Sequence, residues 1–245
     1  MLWFSLWHFP RRYEGSEPAF VQSVDHDLTS FFDQNAEAIQ REVIAYWSST
    51  ELSPYFHQRM VSKKDGYKTL SLRWWSIEFY KNQCAFPILS EWLRNRPDVL
   101  TLSINVLEPR TRISPHMGDT NGVVRGHFGI QIPEGLPKCG IRVKRETKAW
   151  KDKAWLWFTD AYEHETWNES ETSRIVLLMD VIKPVFRTEK RRICAHVMMS
   201  QFLQKRQENW AWFQKVPPRI LRVLARILMP LVYVRIWMLN FFKTY

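Results

Sequence analysis

Cysteine is too sparse in this chain to build a fold. The three present, Cys84, Cys139 and Cys194, are an odd number, far apart, and form no CxxC pair. That excludes a disulfide scaffold and a zinc knuckle and suits a reducing compartment. Long apolar runs are missing too. Crossing a bilayer takes about 20 mostly apolar residues. In the greasy C-terminal segment the longest charge-free stretch runs only from Ile227 to Val234, with Pro230 inside it, so a span is not expected. The start, MLWFSLWHFPRR, places its basic residues after a short apolar run, the reverse of a secretory signal. A cytoplasmic protein is expected. Repeats, low-complexity stretches and any Ser/His/Asp or Cys/His arrangement for nucleophilic catalysis are also absent.

Acidic residues nearly vanish from the tail. Residues 187–245 carry 12 basic side chains against only Glu189 and Glu208, while residues 1–186 are balanced, so the whole formal charge of +10 sits in the tail. This favours a tail that meets an anionic surface. Nucleic acid is not expected as a partner, because the basic residues lie among Leu and Ile rather than around stacking aromatics.

What is present suits one sizeable domain with extras: 245 residues, 45% hydrophobic, with thirteen tryptophans to fill a core. Leu28, Phe32, Ala36, Ile39, Val43 and Trp47 recur at spacings of three and four, predicting an amphipathic helix over 24–47. A second short helix is expected at 87–95, ended by Pro97. From residue 101 the period becomes two. In TLSINVL, Leu102, Ile104 and Val106 alternate with Thr101, Ser103 and Asn105, predicting a half-buried strand. Further strands are expected at 123–132, 140–144, 154–159 and 174–182. Together they predict a mainly β sandwich or barrel with an N-terminal helical layer over 20–186. A basic helical extension over 187–245 follows. In that extension Arg219, Arg222 and Arg226 share one helical face, opposite Ile220, Val223, Leu224, Ile227 and Leu228. The pattern fits a helix lying in an anionic membrane surface, and equally a helix covering an open flank of the sandwich.

The chemistry gathers around PHMGDTN, residues 115–121. A histidine followed two places later by an acid opens many iron sites. Here that place holds Gly118, and Asp119 comes one residue too late. His164 follows His116 by 48 residues, in DAYEHETWN, and Arg174 follows by ten more. This order of two histidines and an arginine is the layout of iron oxygenases that consume 2-oxoglutarate. Two neutral imidazoles can bind Fe(II) and leave coordination positions open. A guanidinium further on can hold the far carboxylate of the ketoacid bidentately.

The stretches PHMGDTNGVVRGHFGIQIP, CGIRV, FTDAYEHETWN and RIVLLMDVIKP resemble the aspartyl/asparaginyl β-hydroxylase family, over about residues 67–184 and most strongly over 101–184. The resemblance implies a double-stranded β-helix, a cupin-like jelly roll, using Fe(II), 2-oxoglutarate and O2. It implies iron held by His116 and His164, with glycine at position 118 in place of a third, carboxylate ligand. It further implies Arg174 as the 2-oxoglutarate anchor, His127 at its ketoacid end, and Arg125 as the holder of a substrate carboxylate. Asn105 stands where the family's peptide hydroxylase has a serine beside the cosubstrate.

Plainer roles stay open at this stage. Asp119 can hydrogen-bond a metal-bound water or face solvent; direct ligation is disfavoured because neighbouring residues of an extended chain point to opposite sides. Arg125 and Arg174 can be ion-pair partners of Glu163 or Asp180. Asp160 and Glu163 flank His164 and can orient it or be solvated turn residues. Trp157 and Trp167 are expected in the core. The expected reaction is hydroxylation of an unactivated C–H, foremost the β-carbon of an aspartyl, asparaginyl or related amino-acid group. The alternative is an acyl chain of a membrane lipid of lipid A or aminolipid type, with peripheral contact on the inner face of an anionic membrane through residues 216–245. A catalytically silent jelly roll that binds metal is the remaining rival.

Overall fold

In the large sheet, alternation turns apolar side chains toward the helical layer and more polar ones toward the interior of the roll, where the small sheet adds Cys139, Ile141 and Val143. The computed structural model describes residues 1–22, 24–50 and 52–242. In chain order these form α1 (Ser5–His8), β1 (Phe20–Val21), α2 (His26–Ser49), β2 (Tyr67–Trp74), β3 (Ile77–Glu78), α3 (Tyr80–Gln83), α4 (Pro87–Arg94), β4 (Val99–Leu107) and β5 (Thr111–His116). There follow β6 (Val123–Gln131), β7 (Cys139–Val143), β8 (Glu146–Lys148), β9 (Trp155–Phe158), β10 (His164–Asn168), β11 (Arg174–Ile182), α5 (Lys190–Asn209) and α6 (Pro218–Phe241). Seven strands pair in the order β1-β9-β6-β11-β4-β2-β3, and four in the order β5-β10-β7-β8. All the pairings are antiparallel. The two sheets make the expected jelly roll with helices before and after it.

The helix expected over 24–47 is α2, capped by the Asp25 carboxylate, which accepts from the Asp27 amide at 3.1 Å. Its buried stripe of Leu28, Phe32, Ile39 and Val43 packs on Leu102, Ile104 and Val106 of β4 and on Ile175, Leu177 and Met179 of β11. Phe32 sets its edge against Trp92 and Trp155, each with ring centroids 4.9 Å apart. Trp157 joins the same cluster, as expected of a core residue. Trp167 is only half-buried, with its indole N–H donating to the Pro137 carbonyl.

One expectation about this sheet needs correction. The 101–107 stretch is not half-buried: all nine residues of β4 are buried. Its apolar side meets the helical layer, and Thr101, Ser103 and Asn105 line the interior of the roll. Period two reports two unlike faces, and the second face looks on to a polar interior instead of water.

Residues ahead of β1 also join the body. Trp3 and Phe4 are buried, and the Ser5 amide donates to the Asp119 carbonyl at 3.0 Å. At the other end, α5 docks Ile193, Cys194 and Val197 against Leu100, Val123 and Ile182 of the large sheet. Leu221, Ala225 and Met229, one stripe of α6, pack on Ala195, Met199 and Leu203 of α5. Arg222 is tied down as well, donating to the Phe9 carbonyl at 3.1 Å. The opposite stripe of α6, from Ile220 to Phe241, is exposed. One face of the extension thus packs, and the other is left bare; residues 243–245 of the tail lie outside the described residues. Among the described residues no helix is long and apolar enough to cross a membrane.

Candidate metal and cosubstrate site

His116 ends β5 and His164 begins β10, and the two are direct cross-strand partners. Their rings stand 4.2 Å apart between centroids. Each Nδ1 lies 2.8 Å from a backbone carbonyl two residues earlier, Ser114 for His116 and Tyr162 for His164. A carbonyl only accepts, so both Nδ1 atoms carry the proton and both Nε2 lone pairs are free. Burial pushes the imidazole pKa values down, to about 3 for His116 and about 4 for His164. Both rings therefore stay neutral at physiological pH, the form that binds metal.

The structure explains the glycine at position 118. A Cβ built there would overlap the Asp160 carboxylate, and the Gly118 amide donates to the Asp160 carbonyl at 2.9 Å. Asp160 arrives from the β9–β10 turn, is buried, and brings Oδ1 to 3.4 Å from His164 Nε2. Acidic charge stands beside the imidazoles although position 118 has none to give. Among the described residues, no group of three His, Cys, Asp or Glu side chains is arranged to hold a metal ion. The protein donors in reach are the two imidazoles.

Arg125, expected to clamp a substrate carboxylate, is already occupied. Its Nε and Nη2 donate to the two Asp180 oxygens at 2.7 and 2.9 Å, and Nη1 donates to Asp160 Oδ1 at 2.6 Å. Asp180 and Arg125 are cross-strand neighbours of β11 and β6, so the ion-pair alternative describes this arginine. The same guanidinium also pairs with Asp160. Removing one member of a buried charge cluster strands the others, at a cost of about 3–5 kcal/mol. Asp180→Ala is therefore expected to lower the melting temperature markedly, with Asp180→Asn intermediate; equal melting of all three proteins would contradict the cluster's role.

Arg174 is the reverse case. It is buried on β11, its Nε and Nη1 have no hydrogen-bond partner among the described residues, and Trp150 covers it with 4.5 Å between guanidinium and ring. The Glu163 or Asp180 partnership left open for it does not form. Burial lowers its pKa, and the Cys139 thiol and Tyr67 phenol offset that only in part. His127, on β6, also lies against Trp150, with 5.9 Å between ring centroids. Its Nδ1 accepts from the Trp150 indole at 3.2 Å, so its proton is on Nε2, and that buried N–H is also unpartnered. Two buried donors without a hydrogen-bond partner among the described residues, one of them cationic, are the kind of groups that can pair with an anion. Thr166 Oγ1, on β10, is a further buried polar atom without a hydrogen-bond partner among the described residues.

Three other expected residues are placed differently. Asn105 donates from Nδ2 to the Tyr67 hydroxyl at 2.7 Å and accepts from Thr69 and Ser103 at 3.0 and 2.9 Å. Its amide is used within the fold, where it positions Tyr67. Asp119 is half-buried at the cavity that His116 also lines. Its Oδ1 accepts from Ser5, Ser200 and Gln204 at 2.9, 2.6 and 3.2 Å, clasping the N-terminus and α5 to the loop after β5. Glu163 turns outward to Arg12 at 2.9 Å and Arg142 at 3.7 Å, because it alternates with the inward His164. Sequence reasoning missed Tyr67, Trp150 and Thr166. Tyr67 and Thr166 carry a weak signal, each on the polar side of a period-two run; Trp150, in a loop, carries none.

A cavity of about 530 Å³ opens from His116, Gly118 and Asp160. Arg125 of β6, Ser200 and Gln204 of α5, and Pro218 and Leu221 at the start of α6 also line it.

Comparison with known proteins adds the family. An ornithine lipid ester-linked acyl 2-hydroxylase of Rhizobium tropici is 33% identical over 127 residues, 52% of this chain and 45% of that protein. The human aspartyl/asparaginyl beta-hydroxylase is 37% identical over 92 residues, 37% of this chain and 12% of that protein. The matches cover less than half the length of these curated relatives. Among solved structures, HygX of Streptomyces hygroscopicus, crystallised with nickel and 2-oxoglutarate, aligns with a TM-score of 0.44 at 6% identity over 66% of this chain and 88% of that one. Residues 33–184 match the family described as Aspartyl/Asparaginyl beta-hydroxylase, and the chain belongs to that family.

Proposed function

We propose that the protein is an Fe(II)- and 2-oxoglutarate-dependent dioxygenase that hydroxylates an unactivated C–H bond in the acyl chain of a membrane lipid. The observation that carries the chemistry is the pairing of two metal-ready imidazoles with an unpartnered, buried guanidinium inside one roll. His116 and His164 would hold the iron through Nε2. Asp160, fixed by Arg125, supplies the negative charge that a third ligand would bring. Arg174 would pair with the far carboxylate of 2-oxoglutarate, and the His127 Nε2–H gives a second donor. When bound, iron with 2-oxoglutarate and O2 supplies an oxidant that replaces C–H by C–OH and releases succinate and carbon dioxide. The protein's part is to position the cosubstrate, exclude water and aim one C–H bond.

Two observations favour a lipid. Arg125 spends three of its five N–H donors on Asp160 and Asp180, which leaves less of its guanidinium for a substrate carboxylate. The cavity at His116 is also lined by Pro218 and Leu221 at the start of α6, whose opposite face is apolar and exposed, as suits an enzyme peripheral on the inner, anionic face of a membrane through the 216–245 segment. The lipid hydroxylase among the relatives supports the same substrate class. The β-carbon of an aspartyl or asparaginyl residue is the second reading, supported by the match to the human enzyme.

Purified protein given Fe(II), 2-oxoglutarate and O2 is expected to form succinate, faster with a lipid extract, and the lipid should gain one oxygen by mass. Stimulation by aspartyl peptides instead would transfer the assignment to the second reading. No succinate under any condition would leave a silent jelly roll. Arg174→Met is expected to raise the half-saturating 2-oxoglutarate concentration roughly 100-fold.

A further inference from the structure

Helix α6 has two apolar faces, and the chain covers one of them. Opposite the stripe packed on α5 lie Ile220, Val223, Ile227, Leu231, Val234 and Met238, with Ile227 and Leu231 67% and 64% exposed. The helix is 24 residues long, so this bare stripe extends for about 36 Å. An apolar surface of that length marks a contact.

The surroundings decide what covers it. Arg219, Arg226 and Arg235 accompany the stripe, α6 has no acidic residue, and Glu189 and Glu208 are the only acids after residue 186. A second copy of the chain on this face would set arginines against arginines with nothing to neutralise them. An anionic bilayer answers both the apolar stripe and the charge.

The last turns of α6 add a built feature. A groove of about 650 Å³ lies between Tyr233, Trp237 and Phe241 of α6 and Lys190, Arg191 and Cys194 of α5. The uncharged polar groups at its base bond to one another: Asn240 donates to the Ser76 carbonyl at 2.8 Å, and Ser76 Oγ meets Cys194 Sγ at 3.3 Å. No acidic residue lines it. Lys190 gives one donor to the Pro97 carbonyl at 2.6 Å and keeps two. Arg191 is exposed and makes no ion pair among the described residues. At the rim Trp237 stacks on Phe241 with 5.1 Å between ring centroids, and tryptophan is enriched where a membrane meets water.

We propose that the outer face of α6 lies on an anionic phospholipid bilayer, and that the groove between α5 and α6 seats the phosphate-bearing headgroup of one of its lipids beside Lys190 and Arg191. The groove is separate from the cavity at His116. The proposal rests on the reading of the tail as a membrane contact, not on the hydroxylation chemistry. The seated lipid would hold the protein on the surface from which the proposed substrate is drawn.

The test reads binding without turnover, so a failed hydroxylase assay leaves it standing. The full-length protein is floated with phosphatidylglycerol vesicles and with phosphatidylcholine vesicles. The wild type is expected to bind the anionic vesicles at least about tenfold better, and to be released by salt. Ile227→Asp with Leu231→Asp should lose at least about tenfold in binding at unchanged circular dichroism. Arg191→Glu should lose the preference for phosphatidylglycerol, and Arg191→Lys should keep it. Equal binding to both vesicles, or a preference untouched by Arg191→Glu, would overturn the headgroup seat. A wild-type dimer that the double substitution converts to a monomer, without vesicle binding by either, would make the face a contact between copies. Displacement from vesicles by millimolar inorganic phosphate at constant ionic strength would make the groove a site for free phosphate.

Discussion

His164→Ala is expected to weaken Fe(II) binding at least about 100-fold and to remove turnover at micromolar iron. The effect is large because the site has few protein donors. His116 and His164 face each other across β5 and β10 with Nε2 free on both. The Asp160 carboxylate is engaged by Arg125 at 2.6 Å. Losing one of two imidazoles leaves a single ligand, and metal affinity depends steeply on ligand count. His116→Ala should behave alike. Asp119→Asn should do much less, since that carboxylate faces Ser5, Ser200 and Gln204. Calorimetric titration with Fe(II) under anaerobic conditions, beside a succinate assay, separates lost metal from lost chemistry. Full activity in His164→Ala would remove the metal assignment.

Gly118→Asp carries the second large effect, and its direction runs against a simple reading of the sequence. Restoring an acid two places after His116 imitates the three-ligand pattern, so tighter iron binding is the naive expectation. The space is taken, however: even a Cβ at 118 overlaps the Asp160 carboxylate. The new side chain must push Asp160 off Arg125 and away from His164. Overpacking and a broken buried ion pair together are expected to cost about 2–4 kcal/mol and to lower turnover roughly 100-fold or more. Removing the obstacle should recover part of the loss, so Gly118→Asp with Asp160→Gly should exceed the sum of the two single changes in melting temperature and activity. A Gly118→Asp protein that melts normally and binds iron more tightly would show that the two positions do not share one space.

The lipid assignment and the membrane face rest on different residues and can fail separately. Arg125 bears on substrate chemistry because three of its five donors are already spent on Asp160 and Asp180. The bare stripe of α6 bears only on location. A protein that floats with vesicles yet oxidises peptides would keep the second and discard the first.

The sequence by itself determined the types and order of the chemistry-bearing residues, the α2 helix, and most strands of the large sheet. Spacing of three and four, or of two, is a local property, and the chain carries it wherever it folds. It equally determined the charge division at residue 186. Only the tertiary structure decided what each polar side chain faces. Thr101, Ser103 and Asn105 alternate as a solvated face would, but the second sheet closes over them. Arg125 and Asp180 are 55 residues apart, and only the register between β6 and β11 makes them neighbours. Asp160 fills the space beside Gly118 because the β9–β10 turn returns there, and Arg174 is left unpartnered because no acid does. Partnership across sheets follows from strand register and chain return, which depend on the whole chain at once; periodicity records only which residues share a face.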